Sequence, residues 1–237
     1  MSNQLPWSWS RLSTFEQCPR KFYLQNISKE LKYVQTPQAV RGEQLHKMLE
    51  LAAKKIQKIY AGETLDAGFP KDIMHVIPLL YKLLKGADAV LIEEGSHESD
   101  KYALDDEFNK VGYFAKNAWL RFGIDFAVKH GKRAIMVDWK TGKNYGYTDQ
   151  NKLFAAIIME VIWPDVDEVS AWFLYLDQNE TSKRVFYRKD LDDMWDDLIG
   201  RSYAITRAAE TNQWLPKKNN FCNWCDANPN QCELKGK

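Results

Sequence analysis

Long apolar runs are missing from this chain of 237 residues: no stretch approaches the roughly 18 to 20 apolar residues needed to cross a bilayer. Cysteine is scarce, with four residues, too few and too unevenly placed for the disulfide framework of a small secreted domain. Glycine (12) and proline (8) are also sparse, and no internal repeat, low-complexity segment or linker is visible, which excludes collagen-like and disordered architectures. The opening Met1-Ser-Asn-Gln-Leu-Pro-Trp7 has neither the basic n-region nor the apolar h-region of a signal peptide, so a cytoplasmic protein without membrane contact is expected. Charge of one sign is lacking too: 33 Lys and Arg against 32 Asp and Glu give a net charge of +1, which counts against a surface that is basic throughout. No G-x-x-x-x-G-K-[ST] loop occurs, so the chain carries no nucleotide-driven motor.

What is present reads as one ordinary globular domain, 45% hydrophobic and 27% charged, long enough to bury roughly 70% of the surface its unfolded form exposes. The charge is uneven along the chain. From Arg11 to Lys58 the bases Arg11, Arg20, Lys21, Lys29, Lys32, Arg41, Lys47, Lys54, Lys55 and Lys58 face only Glu16, Glu30, Glu43 and Glu50. Acidic runs follow between Glu93 and Glu107 and again from Asp190 to Asp197, where solvated faces are the ordinary reading.

Periodicity predicts a helix capped by Ser10 and running to about Leu24, a second from about Gln38 to Tyr60, and a third from Asp72 to Leu91 interrupted around Pro78. The period then changes. Tyr102 to Val111, Ala118 to Val128 and Ala134 to Trp139 read as strands, with a turn at Lys129 to Lys132. A helix over Thr148 to Ile162, strands at Glu168 to Leu176 and Arg184 to Tyr187, and a final helix over Leu191 to Glu210 complete the order. The expected fold is α/β: a mixed central sheet flanked by helices, in a single domain over 1–237. A helical cap would occupy about 28–100, an αβββαβ-type core about 101–211 and a cysteine region 212–237.

Cys222, Cys225 and Cys232 form C-x-x-C, six residues and a third cysteine, while Cys18 stands alone near the other end. In a reducing compartment metal binding is the leading reading, and Cys18 is the only thiol left to complete a tetrahedral set. Spacing does not separate zinc from a four-iron four-sulfur cluster, since both use four thiolates.

Asp125 interrupts an apolar strand, and Asp138-Trp-Lys140 ends another, where strand alternation places Asp138 and Lys140 on one face. Carboxylates on adjacent strands suit Mg²⁺ or Mn²⁺, and a neighbouring lysine can orient a water or steady charge on a phosphoryl oxygen. An exposed ion pair at a strand end is the competing reading. His46 lies on the second helix, where a lone histidine is more often structural than a ligand; His75, His97 and His130 keep that reading. Gln150 and Phe154 share a helical face at i, i+4.

Ser8-Trp-Ser10-Arg-Leu12-Ser-Thr-Phe15-Glu-Gln-Cys18-Pro19-Arg-Lys-Phe22 resembles the S-x-S-x-L-x-x-F-x-x-C-P-x-x-F opening of RecB-like nucleases in the PD-(D/E)XK superfamily. More narrowly it is similar to the branch with an iron-sulfur clamp, which includes CRISPR adaptation exonucleases and the nuclease domains of helicase-nuclease repair enzymes; by size alone a compact phage recombination nuclease is also similar. The likeness continues through Gly42 to His46, Gly123 to Asp125, Asp138 to Lys140, Gln150 to Phe154, where Phe replaces the usual Tyr, and the cysteines.

The resemblance implies a restriction-endonuclease-like core in which His46, Asp125 and Asp138 bind Mg²⁺ or Mn²⁺ and Lys140 activates water. Gln150 would position Lys140 or the DNA, and Cys18, Cys222, Cys225 and Cys232 would hold a four-iron four-sulfur cluster, with structural zinc as the alternative. Glu107 would have a structural or DNA-positioning role. The expected activity is that of a metal-dependent DNA exonuclease in recombination, repair or end processing, acting on single strands or free ends beside a separate helicase or annealing protein. Arg11, Arg20, Lys21, Arg41 and Phe154 are candidate DNA contacts, and Trp7, Trp9 and Trp224 candidate stacking platforms. A non-catalytic, metal-clamped nucleic-acid-binding module and a zinc-structured interaction protein are the rivals.

Overall fold

The computed structural model describes residues 5–32, 34–66, 68–92, 102–144 and 148–235. Helix α1, Trp9–Gln17, is capped by Ser8 rather than Ser10: the Ser8 hydroxyl accepts the Arg11 N–H at 3.4 Å. The helix does not run through to Leu24. Cys18 is extended (φ −164°, ψ 106°), as a residue before proline prefers, and α2, Pro19–Asn26, starts afresh with Pro19 in its first turn. Thr36 caps α3, Pro37–Tyr60, which buries Leu45, Leu49, Ala52, Ala53 and Ile56 at three- and four-residue steps.

The segment read as a helix over Asp72 to Leu91 resolves into three pieces. A 3₁₀ turn covers Lys71–Ile73, α4 covers Ile77–Leu84, and β1, Ala89–Ile92, is a strand. Four apolar residues in a row fit either period, and antiparallel pairing of β1 with β5, Phe126–His130, decides it. The central sheet therefore draws its first strand from the stretch assigned to the helical cap. Residues Glu93, Glu94, His97, Glu98 and Asp100 of the first acidic run lie outside the described residues.

Two expected strands are each divided. Tyr102 to Val111 forms β2, Tyr102–Leu104, and β3, Lys110–Val111, around a turn at 105–109. Ala118 to Val128 forms β4, Leu120–Phe122, and β5, broken at Gly123 to Asp125. Then follow β6, Arg133–Lys140; α5, Gln150–Ile157, which loosens into a π-helical turn over Ile158–Ile162; β7, Glu168–Tyr175; β8, Glu180–Tyr187; and α6, Leu191–Thr211.

The main sheet has the order β1-β5-β6-β7-β8, and β3-β2-β4 make a smaller one. Among the described strands only β6 and β7 pair in parallel, because α5 forms the crossover between them. Strand alternation splits the core in two. Ala134, Met136, Val169 and Ala171 pack under α5 and α6 with Leu153, Phe154, Trp195 and Leu198. Val128, Val137, Trp139 and Leu174 pack under α3 and α4 with Leu45, Leu49, Ile56 and Leu80. A mixed five-stranded sheet between helical layers is the α/β architecture expected.

Candidate active site

The site forms where β6 ends between these layers. Asp138 is 4% exposed on the α5 side of the sheet, and Lys140, two residues on, shares its face. The β5–β6 register runs to Phe126 opposite Val137, so Asp125 enters one step beyond the ladder, level with Asp138. There its Oδ2 accepts the Trp139 N–H at 2.9 Å. The bend at Gly123 to Asp125 is what turns this carboxylate inward.

His46 arrives from α3 on the opposite face. Its Nε2 lies 2.8 Å from the Trp139 carbonyl and its Nδ1 3.4 Å from Asp125 Oδ1. One turn earlier, a Cβ added to Gly42 would meet Thr141 Oγ1 at 3.2 Å, so the glycine permits the helix to pass this close to the end of β6. Because a carbonyl can only accept, Nε2 carries a proton; in the charged ring Nδ1 points its own proton toward Asp125 Oδ1, and only when that proton is lost does an Nδ1 lone pair face the carboxylates.

Gln150, the first residue of α5, ties the pair on β6 together. Its Oε1 accepts Lys140 Nζ at 3.0 Å and its Nε2 donates to Asp138 Oδ1 at 2.9 Å. Asp138 Oδ2 stands 2.6 Å from Lys140 Nζ yet lacks an aligned hydrogen bond, an ion pair by distance whose buried oxygen keeps lone pairs unused. Burial, then the charge of Asp125, push the Asp138 carboxyl up to about 6 against the pull of Lys140. For His46, burial alone would lower the imidazole, but the hydrogen bond and charge of Asp125, helped by Asp138, push it up to about 9.

Two carboxylates forced together, one with an unused buried oxygen, plus an imidazole lone pair, suit a hard divalent cation. Among the described residues no three His, Cys, Asp or Glu side chains converge at the spacing of a ligand cage. The donor chemistry fits a metal.

A family model of the PD-(D/E)XK nuclease superfamily matches residues 6–232. The chain belongs to the PD-(D/E)XK nuclease superfamily. No curated protein matches it. Among solved structures it is similar to SSO0001, at 16% identity, a TM-score of 0.45, and coverage of 95% of this chain and 84% of that one. It is also similar to a protein from Eubacterium rectale called "Putative exonuclease", at 11% identity, a TM-score of 0.44, and coverage of 93% and 86%. The substrate of a domain of this superfamily is nucleic acid, and its members usually use divalent metals such as Mg²⁺.

In this nuclease a latch absent from the sequence reading holds the loop after Lys140. Asp177, at the β7–β8 turn, takes both Nη atoms of Arg41 at 2.6 and 3.1 Å and the Gly142 N–H at 3.1 Å. The hydrogen bond from Arg41 keeps the Asp177 carboxyl below its usual range. Arg41 is thereby committed to α3 and the hairpin. In the sequence Asp177 falls in the gap between the strands expected at Glu168 to Leu176 and Arg184 to Tyr187, and no motif links it to Arg41.

All four cysteines of the nuclease line one cleft and none is disulfide-bonded. Backbone N–H groups of Lys217 and Asn219 approach Cys18 Sγ (3.5 Å) and Cys222 Sγ (3.4 Å). The C-terminal segment is gripped there: Asn219 Nδ2 donates to Gln17 O at 2.9 Å, and Trp214 stacks on Phe22 at 5.8 Å.

Of the other candidates, Arg20 is used on Gln231 O at 2.7 Å and Lys21 lines the cysteine cleft. Phe154 is a correction: at 4% exposed it is core, because the α5 face that carries Gln150 is pressed onto the sheet. Trp7 is corrected likewise, being 2% exposed and edge-on to Trp119 at 5.5 Å. Trp9 is half-buried with Arg201 over its ring at 5.7 Å, and only Trp224, 82% exposed, offers an open face. Glu107 is exposed and bonds within its own turn, to Asp105 and Asn109.

Proposed function

We propose that this nuclease is a metal-dependent deoxyribonuclease that degrades DNA from its ends, as in recombination, repair or end processing. The observation that carries this is the buried Asp138 carboxylate, set beside Asp125 and bridged to Lys140 by Gln150. A Mg²⁺ or Mn²⁺ ion held by His46 Nδ1, Asp125 and Asp138 would polarise the scissile phosphate and acidify a water.

The protein's own part is positioning. Lys140 carries three donors; one goes to Gln150 Oε1 and Asp138 lies within ion-pair distance, which leaves donor capacity for the attacking water or a phosphoryl oxygen as charge builds there. Its ammonium lies 4.9 Å from the Phe173 ring centroid, which backs it from one side. Gln150 fixes both partners at once, since its amide can satisfy an acceptor and a donor only in one orientation. The four cysteines, we propose, hold a four-iron four-sulfur cluster that fastens α1 to the C-terminal segment.

The test is digestion of end-labelled linear DNA with Mn²⁺ or Mg²⁺ by the wild type and by Asp138→Ala and Lys140→Ala. Wild-type degradation lost in both variants is expected, and cleavage surviving both would place the chemistry elsewhere. Anaerobically purified protein should be brown, with iron and sulfide in equal amounts; a colourless zinc protein would remove the cluster.

A further inference from the structure

Among the described residues, two arginines outside the carboxylate site stand together without a counter-ion. Arg11, in the first turn of α1, spends Nη1 on Pro6 O at 2.5 Å and lies over the Phe22 ring at 5.6 Å, while its Nε is buried without a hydrogen bond. Arg121, on β4, gives Nε to Tyr113 O at 2.8 Å and stacks on the rings of Tyr113 (4.9 Å) and Phe114 (5.8 Å). Both residues are tied to one stretch, Arg11 by its side chain to Pro6 O and Arg121 by its backbone N–H to Trp7 O at 2.8 Å.

Among the described residues neither arginine makes an ion pair, in contrast to Arg41 and Arg201. Burial first, and then the charge of Arg121, hold the Arg11 guanidinium below its ordinary value. Two like charges half out of water are unfavourable unless an anion joins them. Donors held in a fork by backbone carbonyls and aromatic rings suit a phosphate, which takes bidentate guanidinium contacts.

We propose that Arg11 and Arg121 hold a phosphodiester of a single nucleic-acid strand leading to Asp125 and Asp138, with Phe114 as the platform for an adjoining base. This rests on the nuclease reading. Phe114 is 65% exposed, with Arg121 over its ring and Tyr113 in a T-shaped contact at 5.1 Å, and a single strand is favoured because only an unstacked base can use such a ring. Arg121 precedes Asp125 by four residues, which limits the separation of their Cα atoms to about 14 Å. The phosphate so held lies within a few nucleotides of the one to be cut.

The test is fluorescence anisotropy of a labelled oligothymidylate in EDTA, titrated with salt. For Arg121→Gln or Arg11→Gln the slope of log K against log salt should become shallower by about 0.7, one single-strand phosphate contact. Arg121→Lys, which keeps the charge, should keep the slope, and Phe114→Ala should weaken binding at least about 5-fold with the slope unchanged. A slope that is unaltered in the glutamine variants, or lost equally in Arg121→Lys, overturns the pair as a phosphate site and leaves it a packing feature. Displacement of the oligonucleotide by millimolar inorganic phosphate at constant ionic strength, absent in Arg121→Gln, would reassign the site to free phosphate. Wild-type protein that binds no oligonucleotide would overturn the nuclease reading itself.

Discussion

Replacing Arg201 by methionine removes the hub that joins three helices. Its guanidinium binds Glu16 through two bonds (2.6 and 2.9 Å), Asp149 at 2.8 Å and Asp197 at 3.3 Å, linking α1, the residue before α5, and α6. The side chains are partly exposed, 24% for Arg201 against 38, 34 and 44% for its partners, so each pair is worth only about 0.5 to 1 kcal/mol. Three pairs, together with three carboxylates left facing one another, give a loss of about 2 kcal/mol. In a chain of this length that lowers the melting temperature by about 4 to 8 °C. The loss should depend on pH. Asp197 is held below its usual range by the hydrogen bond of Lys152 first and by Arg201 in addition. A lowered folded-state value means that its stabilisation is complete above the unfolded carboxylate value of about 4 and disappears as pH falls through the folded one. Urea unfolding of the wild type and the variant should therefore differ more at pH 7 than below pH 4. A difference under about 0.5 kcal/mol at pH 7, or one that does not shrink in acid, would refute the hub.

Gln150→Ala removes both bonds that orient Lys140 and Asp138, and single-turnover cleavage with Mn²⁺ should slow about 10- to 100-fold. Since Asp149 adjoins Gln150, Arg201→Met should slow cleavage in the wild type but add nothing in a Gln150→Ala background. Asp138→Asn should abolish cleavage yet leave metal-free protein at least as stable at pH 8. Burial raises this carboxyl in the folded state, so its charged form opposes folding above about pH 6, and thermal melts in EDTA would check the sign. Gly42→Ala should raise the melting temperature by about 1 to 3 °C through helix propensity, because the atom it meets is a rotatable hydroxyl, Thr141 Oγ1 at 3.2 Å. A fall in melting temperature would mean that Thr141 cannot give way and that the close pass of α3 over the end of β6 requires the glycine.

The parts of the site legible in the sequence are those where chemistry fixes residue type at short range. Asp138 and Lys140 are two apart because a strand returns to the same face every second residue, and Gln150 opens the helix that the β6–β7 crossover requires. The latch of Arg41 on Asp177 and the hub of Arg201 on Glu16 join residues 136 and 185 apart, and no period links such partners. Ser10 and Ser8 are equally good caps by composition; the extended backbone forced on Cys18 by Pro19 limits α1 to nine residues, and Ser8 supplies the bond.

Near-neutral total charge argued against a nucleic-acid protein, and the structure gives a physical reason why the sum misleads. Several of the N-terminal bases are already engaged: Arg41 is paired with Asp177, Lys47 and Lys54 with Glu50, and Arg20 bonds a carbonyl. What matters for a phosphate is charge left unneutralised at one place, and that depends on pairing, which composition cannot show. Arg11 and Arg121 are 110 residues apart in sequence, and Arg121 lies outside the basic segment altogether. The two meet because β4 bridges the stretch before α1, at Trp7 and Leu120, so the basic patch is a product of the fold rather than of the charge run.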